Sequence, residues 1–143
     1  MHYALLTREV MFAAAHRYHR PEWSDERNRA VFGACNNPVG HGHSYRLCVS
    51  VHAAVDPETG FSTDLAKLDA LLRSVVTEPL DHQHLNHAVP AFADGGMIPT
   101  SENILIYLWP RIADGLPPGS TLRSLRLYED ASLYVDYFGG ALP

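Results

Sequence analysis

An alternating run opened by two histidines constrains this chain more than any other feature. Between His43 and Val55, Tyr45, Leu47, Val49 and Val51 fall on one side and Ser44, Arg46, Cys48, Ser50 and His52 on the other. That period of two marks a strand with one buried face. His41 and His43 open the run two residues apart, so both imidazoles point to the same side and can meet one metal ion. Imidazole nitrogen is a borderline ligand that suits zinc. Gly42 between them leaves room for a ligand or another backbone. Taken alone, His-x-His fits a half-buried turn as well as a metal site. The nearby Cys35 and the distant His16 shift the balance toward a metal. Cys48 points away from the pair and reads as structural.

Residues Tyr3 to Ala15 read as a preceding strand, which His16 ends. Antiparallel neighbours would bring the end of that strand beside the start of the next, making His16 a third candidate ligand. The connection from Arg17 to Gly40 is charged and aperiodic, and reads as a long functional loop. It carries Cys35 just before the turn signal Asn36-Asn37-Pro38. A cysteine there, near histidines and arginines, is placed to have a lowered pKa and to act as a thiolate.

Thr63 or Asp64 caps a helix to about Thr77, with an apolar stripe of Leu65, Leu68, Leu71, Leu72, Val75 and Val76, closed by Pro79. Asp81 then adjoins His82, and a carboxylate that holds an imidazole fixes its tautomer and raises its basicity. Thr100 or Ser101 caps a second helix, which Pro110 is expected to kink or interrupt. Thr121 to Tyr128 and Leu133 to Phe138 read as two strands around a short turn, with Glu129 at the end of the first. The order strand, strand, helix, helix, strand, strand is α+β: one domain over residues 1–143, a four-stranded antiparallel sheet with two helices on one face. Such a sheet leaves edges and one face uncovered, which favours self-association.

Composition narrows the partners. The net charge of −5 argues against nonspecific nucleic-acid binding. No apolar run reaches the length of a membrane span, and no secretory leader is expected. Two cysteines give no disulfide framework, which fits a reducing, cytoplasmic setting. Nine histidines exceed the usual complement for this length and motivate the search for metal ligands. Five arginines against three carboxylates between His16 and Arg46 form a positive patch suited to an anion such as a polyphosphate. On charge alone, a solvated loop surface accounts for that patch better.

Five motifs then point further. They are Phe12-Ala13-Ala14-Ala15-His16-Arg17, the block from Phe32 through Cys35 and His41-Gly42-His43 to Tyr45, Leu80-Asp81-His82-Gln83-His84-Leu85-Asn86, Pro99-Thr100-Ser101-Glu102-Asn103 and Leu127-Tyr128-Glu129. Together they resemble the 6-pyruvoyl-tetrahydropterin synthase family, nearly end to end and in the family's order. Five residues separate Cys35 from His41, whereas the related 6-carboxytetrahydropterin synthases have a shorter gap. The resemblance implies a tunnelling fold (T-fold), in which the sheets of a trimer close into a barrel and two trimers stack into a homohexamer. Active sites then lie between subunits. It implies zinc on His16, His41 and His43, with an open fourth position as in catalytic sites. It implies a lyase acting on 7,8-dihydroneopterin triphosphate without a redox cofactor. In that scheme Cys35 is the base, Asp81 and His82 form a second acid/base pair, and Glu129 anchors the pterin with help from Thr100 and Ser101. Two departures from the family stand out, Asp130 directly after Glu129 and Pro110 within a helix that the family keeps continuous.

Two rivals share these residues. One is the sister enzyme that forms 6-carboxytetrahydropterin, for which the Cys35–His41 spacing is the discriminating feature. The other is a binding or structural module in which Cys35 joins the three histidines as a fourth zinc ligand, giving a closed site.

Overall fold

Two long antiparallel strands carry the fold, β1 (Tyr3–His16) and β2 (His41–Ala54). Their register runs from Tyr3 opposite Ala54 to His16 opposite His41, as the expected juxtaposition of the histidines requires. The computed structural model describes residues 1–140. Its remaining strands are β3 (Gln83–His84), β4 (Thr121–Tyr128) and β5 (Tyr134–Tyr137). They form one five-stranded sheet in the order β3-β1-β2-β4-β5. The expected four antiparallel strands are all present, and β3 corrects the count. It is a two-residue strand parallel to β1, too short for any alternation to announce it.

The helices are α1 (Asp25–Phe32), α2 (Leu65–Leu72), α3 (Glu78–Leu80), α4 (Leu85–Ala88) and α5 (Ser101–Ala113). Phe12, Tyr45, Leu47, Val49 and Val51 of the sheet are buried together with Leu68, Leu72 and Val76, and with Ile104, Leu105, Leu108 and Ile112 of α5. Each such side chain contributes about 1.5–3 kcal/mol on burial. The alternation in β2 therefore fixes which face of the sheet the helices cover. The opposite face stays open, with Tyr3, Leu5 and Met11 exposed. No helix among the described residues is long and apolar enough to cross a membrane.

Several local expectations change. The segment read as a loop contains α1, capped by Ser24, whose side chain accepts from the Arg27 amide. Its only buried residue is Asn28, so it has no apolar stripe to reveal it. Asp64, not Thr63, caps α2 and accepts from the Lys67 amide. Pro79 does not end the helix: the wide turn over Arg73–Thr77 runs directly into α3, which continues through Pro79 to Leu80. Leu65 is exposed instead of joining the stripe. Pro110 does not interrupt α5, which continues to Ala113. Pro110 and Ile106, one turn back, both lie on the exposed side. The carbonyl that loses its donor there is left on the solvent side of the helix.

Candidate active site

The strand ends bring three imidazoles together. His16 closes β1 and His41 opens β2 directly opposite it, while His43 faces Ala14 two residues along. Glycines permit the approach. A Cβ on Gly42 would lie 3.1 Å from the Ala14 carbonyl oxygen. A Cβ on Gly40, which has φ +80°, would lie 2.7 Å from the His16 carbonyl oxygen. One donor nitrogen from each of His16, His41 and His43 lies within 4.8 Å of the others.

The polar environment of this cluster fits a metal ion. His16 Nε2 and His41 Nε2 are 3.3 Å apart and share at most one proton. His43 Nε2 is buried with no hydrogen-bond partner, an arrangement that costs free energy unless a cation meets it. His16 Nδ1 lies 2.8 Å from the Tyr45 hydroxyl. That contact leaves Nε2 to face the other rings, the usual way an outer partner orients a ligand. Burial first, and then the neighbouring His43 and His41, lower the His16 pKa to about 3, so the ring stays neutral.

Two further predicted residues flank the cluster. Cys35 Sγ lies 3.8 Å from His41 Nε2. It falls outside the group of mutually close donors, which argues against a closed four-ligand site. Its thiol does not have the lowered pKa expected from the sequence. Burial and the Glu129 carboxylate push it up. Three of the five arginines near it in sequence are committed to other groups. Arg17 donates to the Asn36 carbonyl, Arg27 stacks on Trp23, and Arg46 pairs with Glu9 and stacks on Tyr128. A cation on the histidines would act on the thiol in the opposite sense. Glu129 Oε1 is 3.6 Å from His43 Nε2.

The remaining predicted residues are placed as follows. The Thr100 hydroxyl caps α5 by accepting from the Asn103 amide, and its own O–H stays available as a donor. Ser101 is buried beside it. Asp130 is engaged in its own turn: its Oδ1 accepts from the amides of Ser132 and Leu133 and from the Ser132 hydroxyl, so it orders the β4–β5 turn. Asp81 and His82 pair with each other at 3.0 Å. Asp81 also accepts from the Ala13 amide. Among the described residues, however, no hydrogen bond or ion pair joins this pair to the histidines, Cys35 or Glu129. His82 is exposed and takes a positive φ of 59°, lying over an open concavity lined by Ala13, Ala15, Gly42, His43 and Ser44.

Two residues of the cluster carried no functional expectation. Tyr45 lies on the core face of β2, and the same alternation places it beside His16. Tyr18 lies 4.6 Å, centroid to centroid, from the His16 ring and donates to Glu129 Oε1 at 3.4 Å. Burial, and then Glu129, raise its phenol pKa. The hint in the sequence is its position two residues after His16.

Fold and site together define a class: an α+β protein with a three-histidine cluster, fitted for a metal ion, at the joint of two antiparallel strands, flanked by a thiol and a carboxylate. The family model described as 6-pyruvoyl tetrahydropterin synthase matches residues 5–140. The chain is 40% identical over 136 residues to human 6-pyruvoyl tetrahydrobiopterin synthase, covering 95% of this chain and 92% of that one. It is 41% identical over 134 residues to the Poecilia reticulata protein of the same name, covering 94% and 89%. The solved structure of Caenorhabditis elegans 6-pyruvoyl tetrahydropterin synthase superposes with a TM-score of 0.89 at 35% identity, covering 98% of each chain. The chain belongs to the 6-pyruvoyl tetrahydropterin synthase family.

Proposed function

We propose that this chain converts 7,8-dihydroneopterin triphosphate to 6-pyruvoyl-tetrahydropterin with elimination of triphosphate, with zinc on His16, His41 and His43. The observation that carries the reading is the clustering of a three-histidine group, a thiol 3.8 Å from His41 and a carboxylate 3.6 Å from His43. Zinc, when bound, supplies Lewis acidity that makes the C–H beside the substrate's side-chain oxygens acidic. Cys35 takes that proton and Glu129 fixes the pterin. The pyrimidine edge of a pterin offers parallel N–H donors that a carboxylate accepts bidentately, and Thr100 and Ser101 add hydrogen bonds beside it. Triphosphate leaves with its oxygen, and hydrogens shift within the side chain. The product is an internal redox isomer of what elimination leaves, the substrate less triphosphoric acid, so no external oxidant or reductant enters.

Asp81 and His82 serve as the second acid/base pair. Their separation from the histidine cluster within one chain supports a site completed by another copy. The open sheet face and the exposed Tyr3, Leu5 and Met11 support the corresponding homohexamer, a dimer of trimers. The five residues between Cys35 and His41, and the names of the relatives, favour the pyruvoyl product over the carboxy one.

The test is triphosphate release from 7,8-dihydroneopterin triphosphate by wild type, His41→Ala and Cys35→Ala, with zinc measured in each. Release by wild type, loss of zinc and release in His41→Ala, and loss of release alone in Cys35→Ala are expected. Full zinc occupancy in His41→Ala would remove that ligand from the account.

A further inference from the structure

We propose that Tyr18 is a positioning residue, whose phenol holds the Glu129 carboxylate off the three histidines and keeps it directed at the pterin. This rests on the reading of Glu129 as the pterin anchor. Glu129 Oε1 stands between two groups, Tyr18 Oη at 3.4 Å and His43 Nε2 at 3.6 Å. His43 Nε2 is the buried nitrogen without a hydrogen-bond partner. A carboxylate is itself a good zinc ligand. Left to itself, Glu129 would compete for the open position that substrate needs. Among the described residues, Tyr18 is the one side chain that donates a hydrogen bond to that carboxylate.

Tyr18 is well held for such a task. Its amide donates to the Cys35 carbonyl at 2.8 Å, and its carbonyl accepts from Asn36 Nδ2 at 2.8 Å. The preceding Arg17 is bonded through both its amide and its carbonyl to the Asn86 side chain, at 2.8 and 2.9 Å. The Tyr18 ring lies against His16, with its centroid 6.0 Å from that of Phe32. The backbone that carries the phenol is thus tied to the Cys35 turn on one side and to Asn86 on the other. The carboxylate has this one side-chain hydrogen bond to set its direction. Oε2 and the second lone pair of Oε1 remain free for two N–H donors.

The test is Tyr18→Phe, which keeps the ring packing and removes only the hydroxyl. Two quantities are read: calorimetric affinity for biopterin, a non-reactive pterin, and zinc affinity by chelator competition. Losing a hydrogen bond that orients a charged group is expected to weaken biopterin binding by about tenfold. KM should rise with little change in kcat, because the anchor contact is the same in ground and transition states. Zinc should be held more tightly, as Glu129 becomes free to join the ligands. Both effects should vanish in a Glu129→Ala background.

If Tyr18→Phe weakens biopterin equally with and without Glu129, Tyr18 acts by itself and the inference is overturned. If Glu129→Ala weakens biopterin while Tyr18→Phe changes neither biopterin nor zinc affinity, the inference fails and the anchor stands. If Glu129→Ala binds biopterin as wild type does, the anchor reading fails first.

Discussion

Replacing Tyr45 by phenylalanine removes one oxygen from the most buried part of the site. Tyr45 and His16 are both 0% exposed, and their Oη–Nδ1 contact is 2.8 Å. The ring is not lost, because it stacks on Phe12 with centroids 4.9 Å apart and planes 15° apart. No cavity beyond the hydroxyl is made, and the effect isolates the hydrogen bond. An imidazole that offers Nε2 to a cation keeps its proton on Nδ1, so in the native site His16 donates to Tyr45. Without the hydroxyl, a buried donor loses a partner, which costs about 1–3 kcal/mol. The His16 ring then has more freedom to rotate, and partners of this kind are worth roughly 10- to 100-fold in metal affinity. Urea unfolding of the metal-free protein should show the stability loss. Competition with a zinc chelator at neutral pH should show at least about a tenfold loss, equivalent to roughly 1.4 kcal/mol. A Tyr45→Phe protein that is less stable but binds zinc as tightly as wild type would refute the assignment of His16 as a ligand oriented by Tyr45.

Three other outcomes follow from named contacts. Cys35→Ala should keep zinc content and biopterin affinity while turnover falls on the order of 100- to 10,000-fold; near-normal turnover would take the thiol out of the chemistry. Glu129→Gln, which sets an NH2 donor against the pterin donors, should bind biopterin worse by calorimetry, whereas Asp130→Ala should disturb only the β4–β5 turn that Asp130 organises. If Asp130→Ala loses biopterin and Glu129→Gln does not, the anchor lies one residue later. Burial and the charge of His87 lower the His84 pKa from 6.5, so the unfolded chain takes up a proton that the fold refuses. His84 therefore costs stability as pH falls through 6.5. The urea midpoint of His84→Asn should decline less than that of wild type between about pH 7 and 5, and equal slopes would say that His84 is not the group responsible.

What the sequence disclosed depended on the range of the physical signal. Period-two alternation from His43 onward placed Tyr45 and Leu47 on the buried face and Cys48 on the other. In the structure Cys48 lies on the opposite face, 3.6 Å from Glu9. Antiparallel pairing then brought His16 beside His41. Signals carried by polar residues were weaker. Helix α1 carries no apolar periodicity, because its buried residue is Asn28, which bonds to the carbonyls of Arg20 and Ser24. The Cys35 pKa went the wrong way because sequence proximity to arginines says nothing of where their guanidinium groups point. Pro110 misled because its cost depends on whether the orphaned carbonyl faces water, a tertiary fact. The contacts of Tyr18 with Glu129 join residues 111 apart, which no local pattern encodes.

The central claim is the reaction itself, and the product tests it most directly. Zinc-loaded protein incubated with 7,8-dihydroneopterin triphosphate, followed by mass spectrometry of the pterin, should yield 6-pyruvoyl-tetrahydropterin and an equal amount of triphosphate. A 6-carboxytetrahydropterin product with released acetaldehyde, or an intact substrate, would contradict the account.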